Sequence, residues 1–149
     1  MNQDDLSYVL FYEDVQEGQE LPSFQRVTTI ESWNRYAAAK DEFIIFHQDD
    51  DEGRAQGERG AFGMGNVRYA YLHDMLRGWI GLQGEIRRVH VQHRAINNKG
   101  DLLTAWGKVT RKYVEEGRHL IDLEIGVTNQ DRVLATPGTA TVQLPSRTG

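Results

Sequence analysis

Residues 65–81 read GNVRYAYLHDMLRGWIG, and the fold follows from how this stretch is read. Val67, Tyr71, Met75 and Trp79 recur at every fourth position, and Leu72, Leu76 and Ile80 form the neighbouring row. Two adjacent i, i+4 rows make one wide apolar stripe, which belongs to a helix covered over much of its surface. Gly65 stands at its start, and Gly78 and Gly81 mark its end, since glycine readily takes the left-handed conformation that closes a helix.

The elements that cover the helix come next in the chain. Residues 85–96, 102–114, 119–129 and 133–144 are four β-like runs, separated by Asn97-Asn98-Lys99-Gly100, Glu115-Glu116-Gly117 and Asn129-Gln130-Asp131. Ile121, Leu123, Ile125 and Val127 alternate with Asp122, Glu124 and Gly126, as in a half-buried strand. Long strands with short turns predict an antiparallel meander. One apolar helix followed by such a meander predicts an α+β fold in which the sheet curls around the helix.

Upstream, residues 24–30 begin like a strand. Thr28 and Glu31 have the spacing of a capping box, in which a hydroxyl and a carboxylate satisfy backbone N–H groups reciprocally, so a short helix is expected through Trp33, Tyr36 and Ala37 to about Ala39. Residues 40–65 then lack a clean period and are rich in Gly and Asp. A connection of that length is unusual in a compact domain unless it is functional. Residues 1–10 and 145–149 read as polar tails, and nothing divides residues 1–149 into more than one domain.

Composition narrows the function classes. The chain has 149 residues and no cysteine, which excludes disulfides and thiolate metal sites and favours a reducing compartment. No run approaches the roughly 18 apolar residues of a membrane helix, and the first six residues are too polar for a secretory signal. A cytoplasmic protein is expected, with no membrane partner. Seventeen basic side chains against 22 acidic ones give a net charge of −5, which argues against nucleic acid as a partner.

Chemistry concentrates in the irregular stretch. His47 is its only histidine and follows Glu42 by five residues; Gly60-Ala61-Phe62-Gly63-Met64 leads into Gly65 and the main helix. A helix N-terminus offers unpaired N–H groups and partial positive charge. Glycine there admits close approach of a carbonyl oxygen, and an oxygen that gains charge in the transition state needs such donors. A carboxylate and an imidazole beside it could hold a water and move its proton. The same residues admit a plainer reading: Phe43-Ile44-Ile45-Phe46 as a buried strand, Glu42 at its solvent edge, His47 satisfied by a backbone carbonyl, and the glycines as caps and turns.

The whole chain resembles the MaoC-like acyl dehydratases and (R)-specific enoyl-CoA hydratases. Tyr12-Glu13-Asp14-Val15 with Gly18 is similar to the family's opening, Gly107-Lys108-Val109-Thr110 to an internal strand, and residues 138–145, GTATVQLP, to its last strand. His47 keeps the family histidine, and Gly65 keeps the glycine of its turn into the central helix. Glu42 stands where the family has Asp, Ile44 and Ile45 replace Asn-Pro, and Met64 replaces a His. Asp41 is a fallback carboxylate. The extra methylene of Glu42 moves its carboxylate by about an ångström, a displacement that can cost about a hundredfold in rate.

The resemblance implies a hot-dog fold, an antiparallel β-sheet wrapped around a central α-helix, in a chain of fatty acid or polyketide metabolism. It implies catalysis by Glu42, His47 and the Gly65 N–H, with Ile44, Gly60 and Phe62 beside the substrate, and it requires no cofactor. The partners it implies are an acyl-CoA or acyl-carrier-protein thioester and a second hot-dog chain, giving a homodimer or heterodimer. A degenerate subunit that shapes a homologue's pocket, or a thioesterase on the same fold, remains open.

Asn66, Tyr69, His73 and Arg77 could form a polar helix face towards the acyl group or towards a second protomer. Arg87, Arg88, His90, His93 and Arg94 gather positive charge in one expected strand, either for the thioester's phosphates or as a solvated face. Trp33, Trp79 and Trp106 read as core or interface aromatics. No histidine spacing suits a metal, so none is expected, and there is no serine-hydrolase elbow or phosphate-binding loop.

Overall fold

A computed structural model describes residues 7–149; the reading of the first six residues lies outside them. The apolar stripe is a helix, α3 (Gly65–Ile80), preceded by α1 (Ile30–Lys40) and a short α2 (Asp50–Ala55). Gly78 lies inside α3, and Gly81 alone closes it, with φ +67°. Five strands, β1 (Phe24–Val27), β2 (Glu85–Val91), β3 (Leu102–Glu115), β4 (Arg118–Thr128) and β5 (Leu134–Gln143), form one antiparallel sheet in the order β1-β3-β4-β5-β2.

The sheet closes over α3. Leu72, Met75, Leu76 and Ile80 pack against Leu103, Val109, Ile121, Leu123, Ile125 and Val142, all buried. Burial of each such side chain stabilises the fold by about 1.5–3 kcal/mol, so this helix–sheet contact is the main source of stability. A second cluster of Trp33, Ala37, Ala61, Met64 and Val67 pins α1 to the loop that enters α3. That contact fixes where the helix begins.

Several local expectations are corrected. The four C-terminal strands are not one meander: β3, β4 and β5 are, but β2 crosses to pair with β5. The connection from β2 to β3 is long enough to make the crossing, whereas a hairpin would need only a tight turn. β2 also ends at Val91, so His93 and Arg94 lie beyond it. There the chain stays tied to β5 through Gln92 N to Pro137 O (3.0 Å) and Arg94 N to Ala135 O (2.8 Å).

The helix cap shifts by one residue. Thr29, not Thr28, caps α1 and exchanges hydrogen bonds with Ser32. Thr28 is instead buried, its hydroxyl donating to the carbonyls of Asn98 and Asp101. The expected tails are also held by the domain. Val9 bridges to Gly81, Leu10 is buried, and Tyr12 N donates to Pro145 O. Arg147 forms a two-pronged pair with Asp14 (2.8 and 3.0 Å), and Ser146 reaches Glu13.

Candidate functional site at the N-terminus of the central helix

The stretch 41–64 is compact rather than open. Asp49 caps α2 by accepting from Glu52 N (3.0 Å), and the Asp50 carboxylate accepts from Ala61 N (2.9 Å) and pairs with Lys99 (2.7 Å). These bonds hold the Asp50 carboxyl below the usual range, the Lys99 contact contributing most. Gly53 lies directly on Gly60, whose carbonyl oxygen would be only 2.0 Å from a Cβ there. The glycine run is thus clamped between α2 and residues 97–99 before it enters α3.

His47 is joined to that run. It ends a single 3-10 turn over Ile45–His47, and its Nδ1 donates to Phe62 O at 2.7 Å. Because a carbonyl only accepts, Nδ1 carries the proton, and a neutral ring keeps its free lone pair on Nε2. Phe46 and Phe62 meet the imidazole edge-on, with centroids at 4.6 and 5.0 Å. α3 begins at Gly65 as the sequence predicts, and no side chain caps it. Val67 N donates to Met64 O (3.2 Å), and no hydrogen bond to the Gly65 or Asn66 N–H is found among the described residues, so these two donors face the loop that His47 holds.

Glu42 is not drawn into this arrangement. Asp41 takes a left-handed φ of 53° at the end of α1, and the chain closes the helix with Asp41 N to Ala38 O and Glu42 N to Ala37 O (3.0 Å). This closure leaves the Glu42 side chain half-exposed, 3.4 Å from Lys40. The fallback Asp41 is exposed as well. Of the plainer reading, the buried strand over residues 43–46 fails, since Phe43 and Ile45 are each 60% exposed, whereas Glu42 in solvent and His47 satisfied by a backbone carbonyl both hold. Ile44, half-buried, starts the turn that carries His47, and its carbonyl accepts from His47 N.

Of the remaining expected residues, Gly60 and Phe62 lie in the clamped run beside His47. Asn66 is exposed in the first turn of α3, its carbonyl accepting from Tyr36 OH (3.3 Å). His73 is spent on its own helix, with Nδ1 donating to Tyr69 O (3.0 Å) and its ring edge-on to Tyr69. Arg87 pairs with Glu85 (2.8 Å) at the sheet edge, in the irregular step between Ile86 and Arg88, and Arg88 is exposed. Among the described residues no helix is long and apolar enough to cross a membrane.

No protein-family model matches the chain, and no curated protein does. Solved structures do. The (R)-hydratase from A. caviae involved in PHA biosynthesis superposes with a TM-score of 0.81 at 19% identity, over 89% of this chain and 99% of that one. The MaoC-like dehydratase from Rhodospirillum rubrum gives 0.78 at 20% identity, over 93% and 98%. The fold is theirs. This chain is therefore a hot-dog domain, as the resemblance implied. The ChsH1-ChsH2 complex from Mycobacterium tuberculosis shares the hot-dog fold too, with a TM-score of 0.76 at 21% identity over 87% of this chain and 98% of that one.

The hot-dog framework also gathers polar residues that sequence reasoning did not assemble. Arg68, one turn into α3, is 3% exposed, and its Nη1 donates to Ala95 O and Ala135 O. Its Nε has no partner among the described residues, and burial pulls its pKa down to about 10. His93 packs on Gly65 and holds Thr136 Oγ1 through Nδ1 at 3.0 Å. Asn97, also buried, lies over Gly63. The one available signal was an arginine next to Val67 in an apolar helix stripe; no local pattern joins residues 65, 93 and 136.

Proposed function

We propose that this chain is an acyl-thioester hydratase/dehydratase subunit, interconverting trans-2-enoyl and (3R)-hydroxyacyl thioesters of coenzyme A or a carrier protein in the cytoplasm. The observation that carries the reading is the uncapped N-terminus of α3, entered through a clamped glycine turn to which His47 is hydrogen-bonded. Hydration pushes charge onto the thioester carbonyl oxygen, and the Gly65 N–H with the helix dipole stabilises it. His47 Nε2 accepts a hydrogen from the attacking water. The kinship in fold with an (R)-hydratase supports the same reaction class.

Glu42 takes part in this scheme only if it leaves Lys40. That position, with Phe43 and Ile45 exposed, favours a second reading: a subunit that completes the pocket of a homologous chain. β2 lies at one edge of the sheet, paired among the described residues only with β5, and is free to extend the sheet into a second hot-dog chain. One of the structural neighbours was solved as such a two-component complex by name.

Purified chain with crotonyl-CoA, followed at the enoyl-thioester absorbance, tests the proposal. Turnover that His47→Ala abolishes supports the hydratase. Turnover only after a co-encoded homologue is added supports the partner reading, and release of free thiol would mean a thioesterase.

A further inference from the structure

His93 meets the start of α3 from the side opposite in sequence to His47. A Cβ built on Gly65 would lie 2.6 Å from His93 Cδ2 and 2.9 Å from Nε2, so the absence of a side chain at residue 65 is what admits the ring. Its Nδ1 is anchored on the hydroxyl of Thr136, which is fully buried. Nε2 has no hydrogen-bond partner among the described residues, and His93 as a residue is exposed. Behind it is Arg68, a buried cation with an unpaired Nε and, among the described residues, no carboxylate neighbour. Burial and the Arg68 charge both disfavour the imidazolium form and lower the His93 pKa. A buried guanidinium and a helix N-terminus together favour a ligand group that carries or develops negative charge.

We propose that His93 is a second ligand-facing imidazole of this site, presenting Nε2 to the thioester bound at Gly65 and carrying the water proton in place of Glu42. The proposal rests on the thioester reading above. The step uses the tautomer in which Nδ1–H donates to the Thr136 hydroxyl, which leaves the lone pair on Nε2. A water donates one hydrogen to His93 Nε2 and the other to His47 Nε2. As its oxygen bonds C3, the O–H bond to His93 breaks and the proton moves to Nε2. The C2=C3 pair shifts, giving an enolate whose oxygen is held by the Gly65 N–H. His93 then returns the proton to C2 and the carbonyl re-forms. One water has been added, and the imidazole ends neutral as it began.

The test uses the full chain labelled with nitrogen-15 histidine and titrated with butyryl-CoA, a saturated thioester that cannot be hydrated. The His93 ring nitrogens, assigned by their loss in His93→Gln, are expected to shift together with the Gly65 amide, and Thr136→Val is expected to weaken binding by freeing the ring. A Gly65 amide that moves while His93 stays still, or no binding at millimolar butyryl-CoA, overturns the proposal. With crotonyl-CoA, His93→Gln should lower kcat about a hundredfold with little change in KM and alter the acid limb of the pH profile, while Glu42→Gln has the smaller effect. The reverse ranking of those two variants also overturns it. A wild type that shifts His93 with butyryl-CoA yet turns over no crotonyl-CoA refutes hydration and the proton step, while sustaining the His93 contact.

Discussion

Replacing Gly65 by alanine adds one methyl group at the point where α3 meets His93. Gly65 is the first residue of α3 and its φ is not positive, so the backbone accepts alanine, and helix propensity favours it by up to about 1 kcal/mol. The new Cβ would, however, sit 2.6 Å from His93 Cδ2, where an ordinary contact begins at 3.4 Å. The ring must swing away and give up its 3.0 Å bond to Thr136, leaving a buried hydroxyl unpaired at a cost of about 1–3 kcal/mol. Gly65→Ala is therefore expected to destabilise the wild type by about 1 kcal/mol. In a His93→Ala background the obstacle is gone and Thr136 is already unpaired, so the same substitution should be neutral or stabilising. A four-member cycle measured by urea unfolding should show a coupling of about 1–2 kcal/mol between the two positions. Additivity to within about 0.5 kcal/mol would refute the contact and the reasoning built on it.

Other outcomes follow from the same geometry. Gly53→Ala drives a Cβ into the Gly60 carbonyl, backbone against backbone, and should cost more than about 2 kcal/mol, seen as a Tm fall of about 4 °C or more. The lowered His93 pKa means that the unfolded chain takes up this proton first as pH falls below the ordinary value of 6.5. Stability from this group is complete above that pH and is lost below it. The urea midpoint of wild type should thus drop between pH 7.5 and 5.5 more than that of His93→Gln, and equal drops would contradict the assignment. Light scattering at micromolar concentration should find a dimer, or a heterodimer with a homologue; a monomer under both conditions would remove the β2-edge pairing.

What the sequence disclosed, and what it withheld, divides along the reach of the interactions. The i, i+4 rows of α3 and the alternation in β4 are local signals written by burial, and both elements formed where they were read. The crossing of β2 to β5 was invisible, because strand order depends on partners some fifty residues apart. At the site, the start of α3 at Gly65 was legible in the sequence, while the bond of His47 to a backbone carbonyl is the contact that the plainer reading of the same residues expected. The fate of Glu42 was not, since it depends on Asp41 taking a left-handed conformation more usual for glycine. Nor was His93 legible: it was grouped with the charges of a strand, and its contact with Gly65 arises only after the chain leaves β2.

The most direct measurement is a crystal structure with a non-hydratable acyl thioester bound. The account predicts its carbonyl oxygen about 3 Å from the Gly65 backbone nitrogen, with His47 and His93 on either side of the acyl C2–C3 bond. A thioester seated elsewhere, or one whose carbonyl turns to solvent while the first turn of α3 stays unengaged, would contradict it.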